Sequence, residues 1–318
     1  MSGAPHPAVA PRRGLVRSCA ALAAVAALGL GPAACGTGGG DGGRSGGGRS
    51  DGDASLTAEQ RRRADQLVSV FENGTTRIQY AYAENLHDGR GVTAGRAGFT
   101  TDDGDALEVV RAYTEQVPGN PLARFLPALE RHADGGGNGN GNGDAAEGEE
   151  EEEEAGGSGD PGDSAAVPDD AYIAAWKRAA ADPAFREVQD AQVDARYFDP
   201  ALRAARKAGL SSPLALAELY DASIQHGNGT DGDSLPALVK RTTARVGTPA
   251  EAGEKKWLDA FFDVRVHDLR HPVNTGTAKE WRASVDRVEA VRRIAASGND
   301  DLGGPFTVTA FGSAHTIK

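Results

Sequence analysis

Cysteine is nearly absent: the 318 residues hold two, Cys19 and Cys35. Cys19 falls in an export-type leader, so Cys35 alone would remain after processing. That excludes an intrachain disulfide and a cysteine nucleophile with a partner. Long apolar runs are lacking too. The apolar run of the leader, residues 19–30, is too short to cross a bilayer. Basic charge is in deficit, with 34 Lys and Arg against 46 Asp and Glu and a net charge of −12. Such a balance argues against nucleic acid as a partner. The glycine-rich segment 135–143 has no following Lys-Ser/Thr and no preceding strand, so it is no phosphate-cradling loop. Apolar residues make up only 39% of the chain, but the shortfall is local, confined to Gly-rich and acidic stretches.

The N-terminal residues 1–35 read as an export signal. Arg12, Arg13 and Arg17 precede the apolar run, and Ala33-Ala34-Cys35 offers small residues for cleavage. Arg12-Arg13 also fits a twin-Arg signal, and Cys35 before Gly36 fits a lipid-acceptor cysteine. Release and lipid anchoring both stay open; either puts the protein outside the cytoplasm, secreted or on the outer face of the bacterial membrane. Residues 36–55 are Gly, Ser, Asp and Arg and form a flexible tether. Residues 132–168, with Asn-Gly repeats and the acid run Glu149 to Glu154, read as a disordered insertion in the folded region 56–318.

Helical signals dominate that region. Thr57-Ala58-Glu59-Gln60 is a capping box, and Ala64, Leu67, Val68 and Phe71 keep helical spacing up to Asn73-Gly74. The pattern predicts a second short helix over 76–86, a strand or hairpin over 92–99, and a helix over 105–116 capped by Asp105. Further helices are expected from Asn120-Pro121, around Trp176 and Phe185, and behind Asp199-Pro200, Ser212-Pro213 and Thr248-Pro249. Another starts at Thr277 and runs to Gly298, and a terminal strand covers 306–311. The fold expected is mainly α, about nine helices in two lobes split at the insertion, with a substrate cleft between them.

Glu72 closes a helix beside apolar Phe71, where desolvation would raise its pKa. Asp88 sits in a Gly-rich turn that favours its charged form. One protonated and one ionised carboxyl is the pair that glycoside hydrolysis requires. Taken alone, each is equally a solvated or capping residue. His267 and His271 have metal-ligand spacing on a helix, but no third ligand motif accompanies them; no metal or cofactor is expected.

The stretch Asp88-Gly89-Arg90-Gly91-Val92-Thr93-Ala94-Gly95-Arg96-Ala97-Gly98-Phe99 resembles the signature of bacterial chitosanases, glycoside hydrolase family 46. Segments 67–73, 104–108, 118–129, 194–200, 220–227, 248–250 and 262–265 are similar to that family in the same order. The resemblance implies a lysozyme-like fold and a monomeric enzyme that cleaves chitosan within the chain, with inversion. It implies Glu72 as general acid, Asp88 as general base and Thr93 as the holder of the attacking water. Tyr82, Arg90, Asp105 and His226 would touch substrate, Asp105 through a sugar amine. Asp194 and Arg265 would form an ion network supporting Glu72. Gly247 stands where the family has an Arg, and Arg245 is the nearest replacement. His226 next to Gly227 could equally end its helix. Two rivals remain: a lysozyme- or chitinase-like hydrolase of acetylated sugars, and a surface lipoprotein that binds polycations without cutting them.

Overall fold

The computed structural model describes residues 55–87, 89–102, 104–135, 167–273, 275 and 278–318. The leader, Cys35, the tether, Asp88 and nearly all of the insertion lie outside them. In chain order come α1 (Ala58–Asn73), β1 (Ala83–Asn85), β2 (Val92–Ala94), β3 (Phe99–Thr100), α2 (Asp105–Gln116), a 3-10 turn (Ala123–Phe125) and α3 (Leu126–Gly135). Then follow α4 (Asp169–Ala179), α5 (Pro183–Val193), a π-helical turn (Asp194–Phe198), α6 (Asp199–Ala208), α7 (Pro213–His226) and α8 (Leu235–Val246). The chain closes with α9 (Pro249–Ala252), α10 (Glu254–Arg270), α11 (Ala278–Ala283), α12 (Val285–Ala296), β4 (Phe306–Ala310) and β5 (Ser313–Ile317).

The described residues fall into two compact units, and the division is not at the insertion. Residues 78–196, on both sides of the insertion, form one unit. The helix α1 instead joins residues 197–318. In that first unit α1 packs on α7 and on the β4–β5 hairpin. Its caps are as the side chains dictate: Thr57 and Gln60 close the capping box, and Gly74 ends the helix in the left-handed region. Ser212 caps α7 and Thr248 caps α9. Asp199 is no cap, because the π-helical turn runs straight into α6. The expected helix over 277–298 breaks at Ser284, whose hydroxyl bonds the carbonyl of Trp281. The terminal strand has a partner, β5, joined through Phe311 and Gly312, both at positive φ as a tight hairpin requires.

In the second unit, β1, β2 and β3 form an antiparallel sheet with Glu84 opposite Thr93 and Thr93 opposite Thr100. The expected helix over 76–86 is absent; its end supplies β1, whose Asn85 and Ala83 pair with β2. The core is aromatic: Trp176 contacts Phe99, Tyr172 and Phe185, and Tyr113 packs on Phe185. Two glycines of the 88–99 motif have steric causes. A Cβ on Gly91 would stand 2.1 Å from Thr101 Oγ1, and one on Gly95 2.6 Å from Gln189 Oε1 and 2.8 Å from the Trp176 ring. Both also sit at positive φ.

Candidate active site

Glu72 is the penultimate residue of α1. Its neighbour Phe71 is buried, and the Glu72 side chain is 18% exposed. Arg287 of α12 donates to it at 2.8 Å. Burial pushes the Glu72 pKa up. The Arg287 charge opposes that push, while the Asp221 charge adds to it. The side chain is thus biased toward holding a proton despite its guanidinium partner.

Behind Glu72 lies a row of buried ions. Arg287 donates to both oxygens of Asp221, at 2.6 and 3.1 Å. Arg265 of α10 donates to Asp221 at 2.7 Å, to Gln225 at 2.6 Å and to Glu218 at 2.8 Å, all on α7. Burial alone would raise the Asp221 pKa, but the two guanidiniums hold it below the usual carboxylate range. Arg265 is therefore a member of a network that reaches Glu72, through Asp221 and Arg287. Asp194 is half-buried at the start of the π-helical turn, in the second unit. Arg245 is not in the network: it is exposed and pairs with Asp263 at 3.3 Å. Arg287, Asp221 and Glu218 were not singled out from sequence. Their signal is a charge on an otherwise apolar helix face, as in α7, where every residue from Leu214 to His226 is buried.

The resemblance sets His226 against substrate, and the structure shows its side chain buried. It ends α7, is 2% exposed and stacks edge-on against Trp281. Its Nε2 accepts from Arg265 Nε at 3.2 Å, so its Nδ1 carries the proton and donates to the Asp233 carbonyl at 2.9 Å. Burial lowers its pKa and keeps the ring neutral.

In the second unit Thr93 is the central residue of β2. It is buried, and its Oγ1 makes no hydrogen bond to any described residue. Asp105 is the first residue of α2, not its cap; Gly104 holds the cap position at φ 81°. The Asp105 carboxylate instead accepts from the Thr100 amide at 2.6 Å, which ties α2 to β3. Tyr82 is half-buried and donates to Glu84 at 3.2 Å. Arg90, also half-buried, accepts through its carbonyl from the Asp102 amide at 3.4 Å. Arg96 is ion-paired with Asp190, which also accepts from Tyr80.

A family model described as glycosyl hydrolase family 46 matches residues 66–152 and 158–306. A chitosanase of Bacillus subtilis (strain 168) is 46% identical over 257 residues, covering 80% of this chain and 83% of that protein. A Streptomyces chitosanase is 33% identical over 258 residues, covering 80% and 81%. Among solved structures, a mutant chitosanase from Bacillus subtilis MY002 complexed with 6 GlcN has a TM-score of 0.68 and 44% identity, covering 83% of this chain and all of that one. A Gynuella sunshinyii family 46 chitosanase in complex with chitotetraose has a TM-score of 0.68 and 41% identity, covering 83% and 99%. The match of the family model over most of the chain, the level of identity and the shared mainly helical, lysozyme-like fold together make this chain a glycoside hydrolase belonging to glycosyl hydrolase family 46.

Proposed function

We propose that this enzyme cleaves chitosan within the chain and with inversion, Glu72 acting as general acid and Asp88 as general base on a water oriented by Thr93. The observation that carries the reading is the setting of Glu72: a partly exposed side chain whose burial favours the protonated form. A proton donor to the glycosidic oxygen needs that state at the pH where the second carboxylate is already ionised. The relatives support the substrate, since those proteins are named chitosanases and two are solved with GlcN oligomers or chitotetraose.

Thr93 supports the base half of the reading. A buried hydroxyl with no hydrogen bond to any described residue keeps its lone pairs and its proton for a water in this reading. Asp105, with Tyr82 and Arg90, is proposed to bind sugar, the carboxylate facing a protonated amine. The net charge of −12 suits a cationic polymer and would speed encounter at low salt. The leader-like residues 1–35 and the tether support work outside the cytoplasm.

The test is the anomer released first from a fully deacetylated glucosamine hexamer, followed by proton NMR in the opening minutes. Inversion at a β-linkage gives the α-anomer. Initial β-anomer would replace this mechanism with a retaining one, and preference for acetylated polymer would overturn the substrate.

A further inference from the structure

The row of ions that ends on Glu72 has a second carboxyl at its far end. From Glu72 it runs through Arg287, Asp221 and Arg265 to Glu218, with links of 2.8, 2.6, 2.7 and 2.8 Å. The signs alternate, beginning and ending with a carboxylate. Apart from Glu72, each of these side chains is at most 1% exposed. With all five groups ionised the row carries one excess negative charge. A single proton balances it, and an unbalanced charge in such a place is costly.

Three carboxyls compete for that proton. Asp221 is braced by both guanidiniums and stays ionised. The contest is therefore between the two ends. Glu218 accepts from Arg265 through Oε1, while its Oε2 is buried and makes no hydrogen bond to any described residue. That free oxygen is where a proton would sit. On α7 itself stand Asp221 and, beyond Arg265, the neutral ring of His226; α10 contributes Arg265 and α12 Arg287. From α1 comes Glu72, at the other end of the row. Arg241 of α8 is held by Asp268 of α10, and Arg203, Arg206 and Lys207 of α6 are exposed.

We propose that Glu218 is a positioning residue for the reaction, sharing one proton with Glu72 through the Arg287–Asp221–Arg265 row so that a charged Glu218 keeps Glu72 protonated. The proposal rests on the reading of Glu72 as the acid. Burial also pushes the Glu218 pKa up to about 7, so its charge, and with it the hold on the Glu72 proton, develops as pH rises toward that value. A neutral side chain at 218 would leave the row balanced with Glu72 ionised, which is the wrong state for a donor.

The test is the pH dependence of kcat on glucosamine hexamer for wild type, Glu218→Gln and Glu218→Asp. The Gln variant keeps an oxygen for Arg265 and removes the charge. Its alkaline limb should move about one pH unit toward acid, a loss of about tenfold on the alkaline side, with KM and the acid side near wild type. Glu218→Asp should bring the limb back toward wild type. An unmoved limb, or a kcat lowered equally at every pH, would overturn the proposal. Should Glu218→Gln not fold, infrared titration of the Glu218 carboxyl in wild type and Glu72→Gln serves instead. Removing the Glu72 charge must shift that titration to lower pH, because coupling is reciprocal; no shift overturns the proposal. The two readings fail separately. An active Glu72→Gln removes the acid assignment, whereas an inactive Glu72→Gln with an unmoved Glu218→Gln limb removes only the role of Glu218.

Discussion

The two units of this enzyme build their interiors differently. The second unit is centred on Trp176, Tyr172, Phe185, Phe99 and Tyr113, an aromatic cluster with conventional edge-to-face and tilted contacts. The first places two arginines among its largest fully buried side chains and threads them between three carboxyls. Aromatic burial stabilises a fold without regard to pH. A buried ion row contributes less net stability, since desolvation offsets attraction. What it supplies is control over where a proton resides, and Glu72 stands at its exposed end.

Breaking the row should cost most. Asp221→Ala leaves two guanidiniums without their shared partner, and a loss of about 5 kcal/mol is expected in denaturant unfolding. Phe185→Ala in the aromatic unit should cost about 3 kcal/mol by cavity formation, with a stability–pH profile parallel to wild type. Wild-type stability itself should depend on pH through Glu218. Its folded pKa, about 7, lies above the ordinary value of 4.5, so the folded state binds the proton more tightly. The stabilisation is fully present below 4.5 and is lost as pH rises to about 7. Thermal unfolding across that window should show the slope, and Glu218→Gln should lack that part of it. Arg245→Ala, at an exposed pair with Asp263, should change stability by less than about 0.5 kcal/mol.

The contrast also governs what could be read in the sequence. Local signals were legible where one side chain decides the geometry. Thr57, Ser212 and Thr248 cap helices as their hydroxyls predict, and Glu72 falls at the end of α1. The stretch 76–86 was misread because a short run without clear period fits a helix as well as a strand edge. Its true partner, β2, becomes visible only once Ala83 is set opposite Ala94. Half of the terminal hairpin was missed because Phe311 adopts a positive φ that its side chain does not advertise. For the site, the pattern of 88–99 carried the family, and residue spacing alone carried little. Arg265 is legible through that resemblance, whereas its bonds to Asp221, Gln225 and Glu218 are not. Glu218 and Asp221, one turn apart on α7, meet Arg265 and Arg287 only when α7, α10 and α12 pack. Proximity in sequence points to Arg245, but its exposure on α8 pairs it with Asp263.

The central claim is that the carboxyl at the end of α1 delivers the proton. Turnover of glucosamine hexamer by Glu72→Gln tests it most directly, with circular dichroism to confirm the fold. Loss of a general acid predicts kcat lower by about 10³-fold with KM little changed. Turnover within a fewfold of wild type would contradict the account.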